Sequence, residues 1–142
     1  MIVVADSGPL HYLILLEHIE LLPRFYGQVL VPERVAGELS AAAAPAVVRD
    51  WMSKPPIWAD VRPVPSDAVS MITDDLDVGE RAAIALAETI HADLLLIHEA
   101  AGRAEAKRRH LRVTAAVSFT RLERSRRNRC RLSDPPEGDN PE

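Results

Sequence analysis

The chain has 142 residues, with 17 Lys/Arg against 21 Asp/Glu, a formal net charge of −4 and a single cysteine. That length suffices for one domain with its own hydrophobic core. The lone Cys130 excludes an intramolecular disulfide framework and fits a reducing compartment, and no run reaches the roughly 18 apolar residues of a membrane span.

The start, Met-Ile-Val-Val-Ala-Asp, has neither the basic region nor the long apolar stretch of a secretory signal, so we expect a soluble cytoplasmic protein with no membrane attachment. The run Ile2-Val3-Val4-Ala5 predicts a fully buried first strand that ends at Asp6. A helix follows directly, with Ser7 as its N-cap, Pro9 in its first turn and Leu10, Leu13 and Ile14 on its apolar face. Ile19, Leu21 and Leu22 predict a short helical piece ended by Pro23, and Val29-Leu30-Val31 a strand stopped by Pro32. Val35 and Leu39 lie on one face of the next helix, with Glu38 beside that face. After the alanine run 41–44, Pro45 opens an amphipathic helix through Val48, Trp51 and Met52, and Ile57, Ala59 and Val61 alternate as a short strand or extended edge.

Residues 76–89 carry the strongest helical pattern, with Ala82, Ala83, Leu86 and Ala87 as a small-residue stripe and Asp77 with Glu80 as a capping box. Asp74 and Asp75 read as a polar loop before it. Leu94-Leu95-Leu96-Ile97 predicts a second buried strand, ending in His98-Glu99. A turn and basic helix over 98–109, a short strand over 111–114 and a last helix over 117–127 complete the domain, and the polar segment 128–142 reads as a disordered tail. Strands alternating with helices argue for an α/β fold of three layers, α/β/α, around a central parallel sheet, with one domain over 1–127.

Charge is divided along the chain. Residues 1–102 hold 6 Lys/Arg and 15 Asp/Glu, whereas residues 103–131 hold 11 and 2. An acidic body that gathers divalent cations and a basic block that meets phosphates suit a nucleic-acid enzyme, although on charge alone a solvated amphipathic helix accounts for the basic block slightly better. Four acids fall at element ends: Asp6, Glu38, Glu80 and Glu99. In an open parallel sheet the ligand crevice lies outside the carboxyl ends of the strands. Carboxylates crowded there are stable at neutral pH only if a cation neutralises them or some keep protons. Hard oxygen donors select Mg²⁺ or Mn²⁺. Singly, Asp6 could cap its helix, Glu38 could be a surface acid, and Glu80 could serve only the capping box with Asp77.

The set Val3-Val4-Ala5-Asp6-Ser7-Gly8-Pro9-Leu10, Val31-Pro32 with Val35 and Glu38-Leu39, Leu76-Asp77-Val78-Gly79-Glu80 leading into Ala83-Ile84-Ala85-Leu86-Ala87, and Ala92-Asp93-Leu94-Leu95-Leu96-Ile97 resembles a PIN domain over about residues 1–125. The resemblance extends to a compact subgroup of PIN-like nucleic-acid-binding proteins. It implies a metal-dependent ribonuclease with Mg²⁺ or Mn²⁺ as cofactor, RNA as substrate and, as in the toxin half of toxin-antitoxin pairs, a small antitoxin protein as partner; it leaves room for a homodimer. Matched residue by residue, it implies Asp6, Glu38, Glu80 and Glu99 as catalytic metal ligands, and Ser7 and Asp77 as supporting residues. Arg103, Lys107 and Arg108 fall on the basic helix that would meet RNA. Relatives carry two adjacent acids where this chain has His98-Glu99. His98 is then a nitrogen ligand favouring a softer ion such as Mn²⁺ or Zn²⁺, a tolerated neighbour while Glu99 binds, or the mark of a weakened enzyme; the rival to the nuclease is a degenerate, catalytically weak module that binds RNA or an antitoxin without cutting.

Overall fold

The computed structural model describes residues 1–114. The expected helix over 117–127, the polar tail, Cys130 and the domain boundary near 127 lie outside the described residues. Five short strands form one sheet: β1 (Val3–Ala5), β2 (Val29–Pro32), β3 (Ala59–Arg62), β4 (Leu94–Leu96) and β5 (Val113–Thr114). Their order is β3-β2-β1-β4-β5 and every pairing is parallel. β1 is central, with earlier connections winding to one side and later ones to the other. The order therefore reverses between β1 and β4, and a crevice opens at their carboxyl ends.

Seven helices connect the strands: α1 (Ser7–Leu15), α2 (Leu21–Tyr26), α3 (Glu33–Ser40), α4 (Ala46–Ser53), α5 (Ser66–Ser70), α6 (Val78–Thr89) and α7 (Ala100–Arg108). The pleat sorts the apolar strand residues between two cores. Val3, Ala5, Val29, Val31 and Leu96 face Leu10, Leu13, Leu22, Val35, Leu39 and Val48 of α1 to α4. Val4, Leu30, Leu95 and Ile97 face Val69 of α5, the alanine stripe of α6 and Ala106 of α7. Because both faces are covered, the strands read as continuous apolar runs and not as alternating ones. The three-layer α/β/α fold is the one the sequence predicts.

Several local expectations need correction. Ser7 is the first residue of α1, and Asp6 takes the N-cap position. Pro23 does not end α2 but sits in its first turn, where the missing N–H would have had no intrahelical acceptor. Helix α5, not among the expected elements, starts after Pro65. Ile57 lies outside β3 and is 96% exposed, so it contributes nothing to the alternating face. Among the described residues no helix is long and apolar enough to cross a membrane.

Helices α1, α6 and α7 end alike. Glu17, His91 and His110 have φ of 61°, 55° and 65°, and the next N–H reaches back to the carbonyl of Leu13, Ala87 or Ala106 at 2.8, 2.9 and 3.0 Å. This is the Schellman closure, made without glycine. At the far end of α7, Arg109 bonds Glu105, both oxygens of Glu88 and the Met71 carbonyl, tying α7 to α6 and to the end of α5.

Leu95 is 1% exposed, in the core beneath α6. Leu95→Ala should therefore lower unfolding stability by about 2–5 kcal/mol, whereas Ile57→Ala should change it by no more than about 0.5 kcal/mol. Denaturant midpoints of the two variants check this, and similar midpoints would contradict the core assignment.

Candidate functional site

The acids converge because three helices begin where strands or loops reach the crevice. Asp6 is the N-cap of α1, Asp77 the N-cap of α6 and Glu99 the N-cap of α7, while Glu80 is the third residue of α6. Helix N-termini favour negative charge through their unpaired N–H groups and dipole. Glu38 comes from α3, late in the helix. The five differ in depth. Asp6 and Glu80 are 3% and 6% exposed and form the floor, whereas Glu38, Asp77 and Glu99 are exposed around the rim.

Only Asp77 spends its side chain on capping. Its Oδ1 accepts from the Glu80 N–H at 2.8 Å, and Glu80 Oε1 accepts from the Asp77 N–H at 3.2 Å, closing the predicted box. Asp6 and Glu99 occupy N-cap positions without a side-chain cap bond. Asp6 Oδ1 is buried with no hydrogen-bond partner, a state that costs roughly 1–3 kcal/mol or more for a charged group.

Burial pushes the Asp6 carboxyl from 3.8 up to about 7; the Ser7 backbone N–H opposes this, and the charges of Asp77, Glu80 and Glu38 add to it. Glu80 is raised as well, by burial and then by Asp77, with Glu99 and Glu38 contributing and the Asp77 backbone bond opposing. Asp6, Glu38, Glu80, Asp77 and Glu99 thus sense one another as a single acidic cluster. Asp77, expected only as a support, weighs more on both floor acids than any other charge.

Three glycines make the approach of these side chains possible. A Cβ on Gly79 would lie 2.5 Å from Glu38 Oε2, so as placed the Glu38 carboxylate of α3 rests against the bare first turn of α6. A Cβ on Gly102 would lie 2.6 Å from Ile97 Cδ1 and 3.7 Å from Glu80 Cδ, and one on Gly8 would lie 3.0 Å from the His98 Cβ. The signal was available in sequence. Glycine inside a helix costs about 1 kcal/mol relative to alanine and marks a close approach.

His98 belongs to the packing at the edge of this cluster. Its ring lies against Gly8 and, at 5.3 Å between centroids, against Tyr12 of α1, and its carbonyl accepts from the Arg103 guanidinium. Burial lowers its pKa; Glu99 opposes that shift and Arg103 adds to it. Of the basic residues expected to meet RNA, Arg103 is half-buried and bonded to His98, Arg108 pairs with Glu105, and Lys107 is exposed. Ser7, the other expected support, opens α1 beside Asp6.

The donor set suits a hard divalent cation: oxygen anions, one of them orphaned in a buried position, with a bare glycine cradling another. As they stand, no three His, Cys, Asp or Glu side chains among the described residues are disposed to hold an ion. The exposed rim acids would have to turn inward.

Between about pH 4 and 7 the native Asp6 keeps a proton that the unfolded chain has lost, so stability falls as pH rises through that window and levels off above it. At about 1.4 kcal/mol per pKa unit the contribution is on the order of 4 kcal/mol. In chelator, Asp6→Asn should flatten this part of the stability profile. Parallel profiles of wild type and variant in denaturant titrations would contradict the buried, protonated Asp6.

No curated protein matches the chain. A family model described as a PIN domain matches residues 2–119, which span all five strands and every acid of the cluster. With that match, the parallel sheet and the acids gathered at its switch point, the chain belongs to the PIN domain family, a family of nucleases.

Proposed function

We propose that the protein is a metal-dependent ribonuclease of the toxin-antitoxin type, which hydrolyses RNA phosphodiesters with Mg²⁺ or Mn²⁺ as cofactor. The reading rests on Asp6. It stands at the head of α1 but makes no cap bond, and its buried Oδ1 lacks a partner while three carboxylates press on it. A divalent cation answers all of these at once. When bound, such an ion supplies an acidified water and a Lewis acid for the phosphodiester.

The chain's own residues do the rest. Asp6 and Glu80 hold the ion from the floor, Glu38 and Glu99 close on it from the rim, and Ser7 keeps the start of α1 in place. Arg103, Lys107 and Arg108 lie on α7, whose first turn borders the site, and supply positive charge for the RNA backbone. A small antitoxin would be the partner, a second copy of the chain another, and the cytoplasm the place where they meet.

A second reading has one observation in its favour: no three side chains are set to hold an ion. On it, the domain docks RNA or an antitoxin and does not cut.

Wild-type protein with Mn²⁺ should cleave RNA, and Asp6→Asn should lose at least about 100-fold in rate, as expected for loss of a metal donor. Equal cleavage by both would remove this site from the activity. If the wild type is inert and His98→Asp restores cleavage, the second reading holds.

RNA affinity should also fall steeply with salt, by about 0.7 in log–log slope for each phosphate contacted. A filter-binding series measures this, and a flat response would exclude the α7 cations from the interface.

A further inference from the structure

Two aromatic rings beside the crevice have no part in holding a cation. Tyr12 of α1 and His98, which follows β4, meet with ring centroids 5.3 Å apart and planes tilted by 51°, within the range of a favourable aromatic pair. Gly8 and Tyr12 stand one turn apart on one face of α1. The His98 side chain lies along that face, because a Cβ on Gly8 would come 3.0 Å from its own Cβ.

The topology puts this pair at the ligand end of the sheet. β1 runs into Asp6 and β4 into His98-Glu99, so the rings border the crevice on the β4 side, while Glu38 comes from the helix that follows β2. The Phe25–Tyr26 and Trp51–Trp58 pairs lie towards the other end, where α2 and α4 lead into the starts of β2 and β3. Tyr12 and His98 are both half-buried, so neither ring is closed into the core. Packing alone does not account for a histidine. Its Nδ1 is buried without a hydrogen-bond partner, a loss that phenylalanine in the same space would avoid. Its backbone is nonetheless held, since the carbonyl accepts from the Arg103 guanidinium.

A fixed, partly exposed aromatic surface is what an unpaired nucleobase stacks on. We propose that Tyr12 and His98 form a base-stacking subsite on the β4 side of the crevice, holding one unpaired nucleobase of the RNA beside the acids. The proposal rests on the ribonuclease reading above and adds to it a contact with a base, which cations that meet phosphates do not make. Every base has a π-face, so this subsite sets the register of the strand and tolerates any sequence.

The test is fluorescence anisotropy on the full chain, in chelator so that nothing is cut. A short oligoadenylate is compared with an abasic ribose-phosphate chain of the same length. Wild type should bind the oligoadenylate at least about 5-fold more tightly than the abasic chain. Tyr12→Leu and His98→Leu should each bring that ratio towards one while keeping the affinity for the abasic chain, and Tyr12→Phe, which retains the ring, should retain the ratio. A loss of structure would instead lower both affinities together.

A wild-type ratio near one, or a ratio unchanged in either leucine variant, overturns the subsite and leaves the ribonuclease reading in place. If wild type binds neither chain, the reading of an RNA enzyme fails and the subsite with it. Should Tyr12→Leu not fold, His98→Leu carries the comparison.

Discussion

Everything at the functional end of this protein depends on negative charge held where the fold cannot neutralise it. Asp6 is driven into the crevice by the strand it terminates: β1 is buried on both faces, and its first residue beyond the sheet inherits that burial. Three helix N-termini meet the cluster, but each offsets a nearby charge by only about 0.3–1 kcal/mol, and up to about 2 kcal/mol in partly buried geometry. Raising a carboxyl from 3.8 to about 7 corresponds to roughly 4 kcal/mol of opposition to its charged form. The dipoles therefore do not settle the balance. A proton on Asp6 completes it below about pH 7, and on the proposed function a divalent cation would take that proton's place.

How a residue uses its N-cap position separates scaffold from site. Asp6, Asp77 and Glu99 stand at equivalent places at the head of α1, α6 and α7, yet only Asp77 closes a capping box. Uncapped starts leave α1 and α7 with unsatisfied N–H groups, a loss of about 1 kcal/mol each against a good cap. The glycines add to that loss, since Gly79 and Gly102 lie inside helices where alanine would be more stable. In return, Glu38 and Ile97 come within 2.5 and 2.6 Å of where a Cβ on Gly79 and Gly102 would stand. Local stability is given up at the same few turns where the acids meet, as expected where sequence preference yields to a site.

The parts legible in sequence are those set by burial and by short-range hydrogen bonding. Strands such as Val3–Ala5 and Leu94–Leu96 are apolar throughout because both sheet faces are covered, and the acids that follow them are placed at the crevice by sequence pattern alone. The box of Asp77 and Glu80 is a four-residue pattern and appears as read. Helix ends were not legible. Glu17, His91 and His110 adopt the left-handed conformation usually marked by glycine, and only the backbone closure reveals them. Pro23 misled for a related reason, since a proline signals a break or a first turn depending on where the helix starts. The depth of each acid was invisible as well: nothing local distinguishes buried Glu80 from exposed Glu99.

Depth also decides what each acid can contribute. A buried carboxylate is already desolvated and fixed, so it gains most from a cation and loses most without one. A rim carboxylate keeps its water until the ion arrives and must surrender side-chain freedom to bind. On the proposed metal-dependent function, Asp6 and Glu80 would therefore set whether the site takes a cation at all, and Glu38 and Glu99 how tightly. His98 enters this division at one remove. Its ring packs on Gly8 and Tyr12 and its carbonyl is held by Arg103, which pins the turn from which Glu99 projects. A neutral imidazole there adds no further negative charge to a cluster already carrying more than its helices can offset.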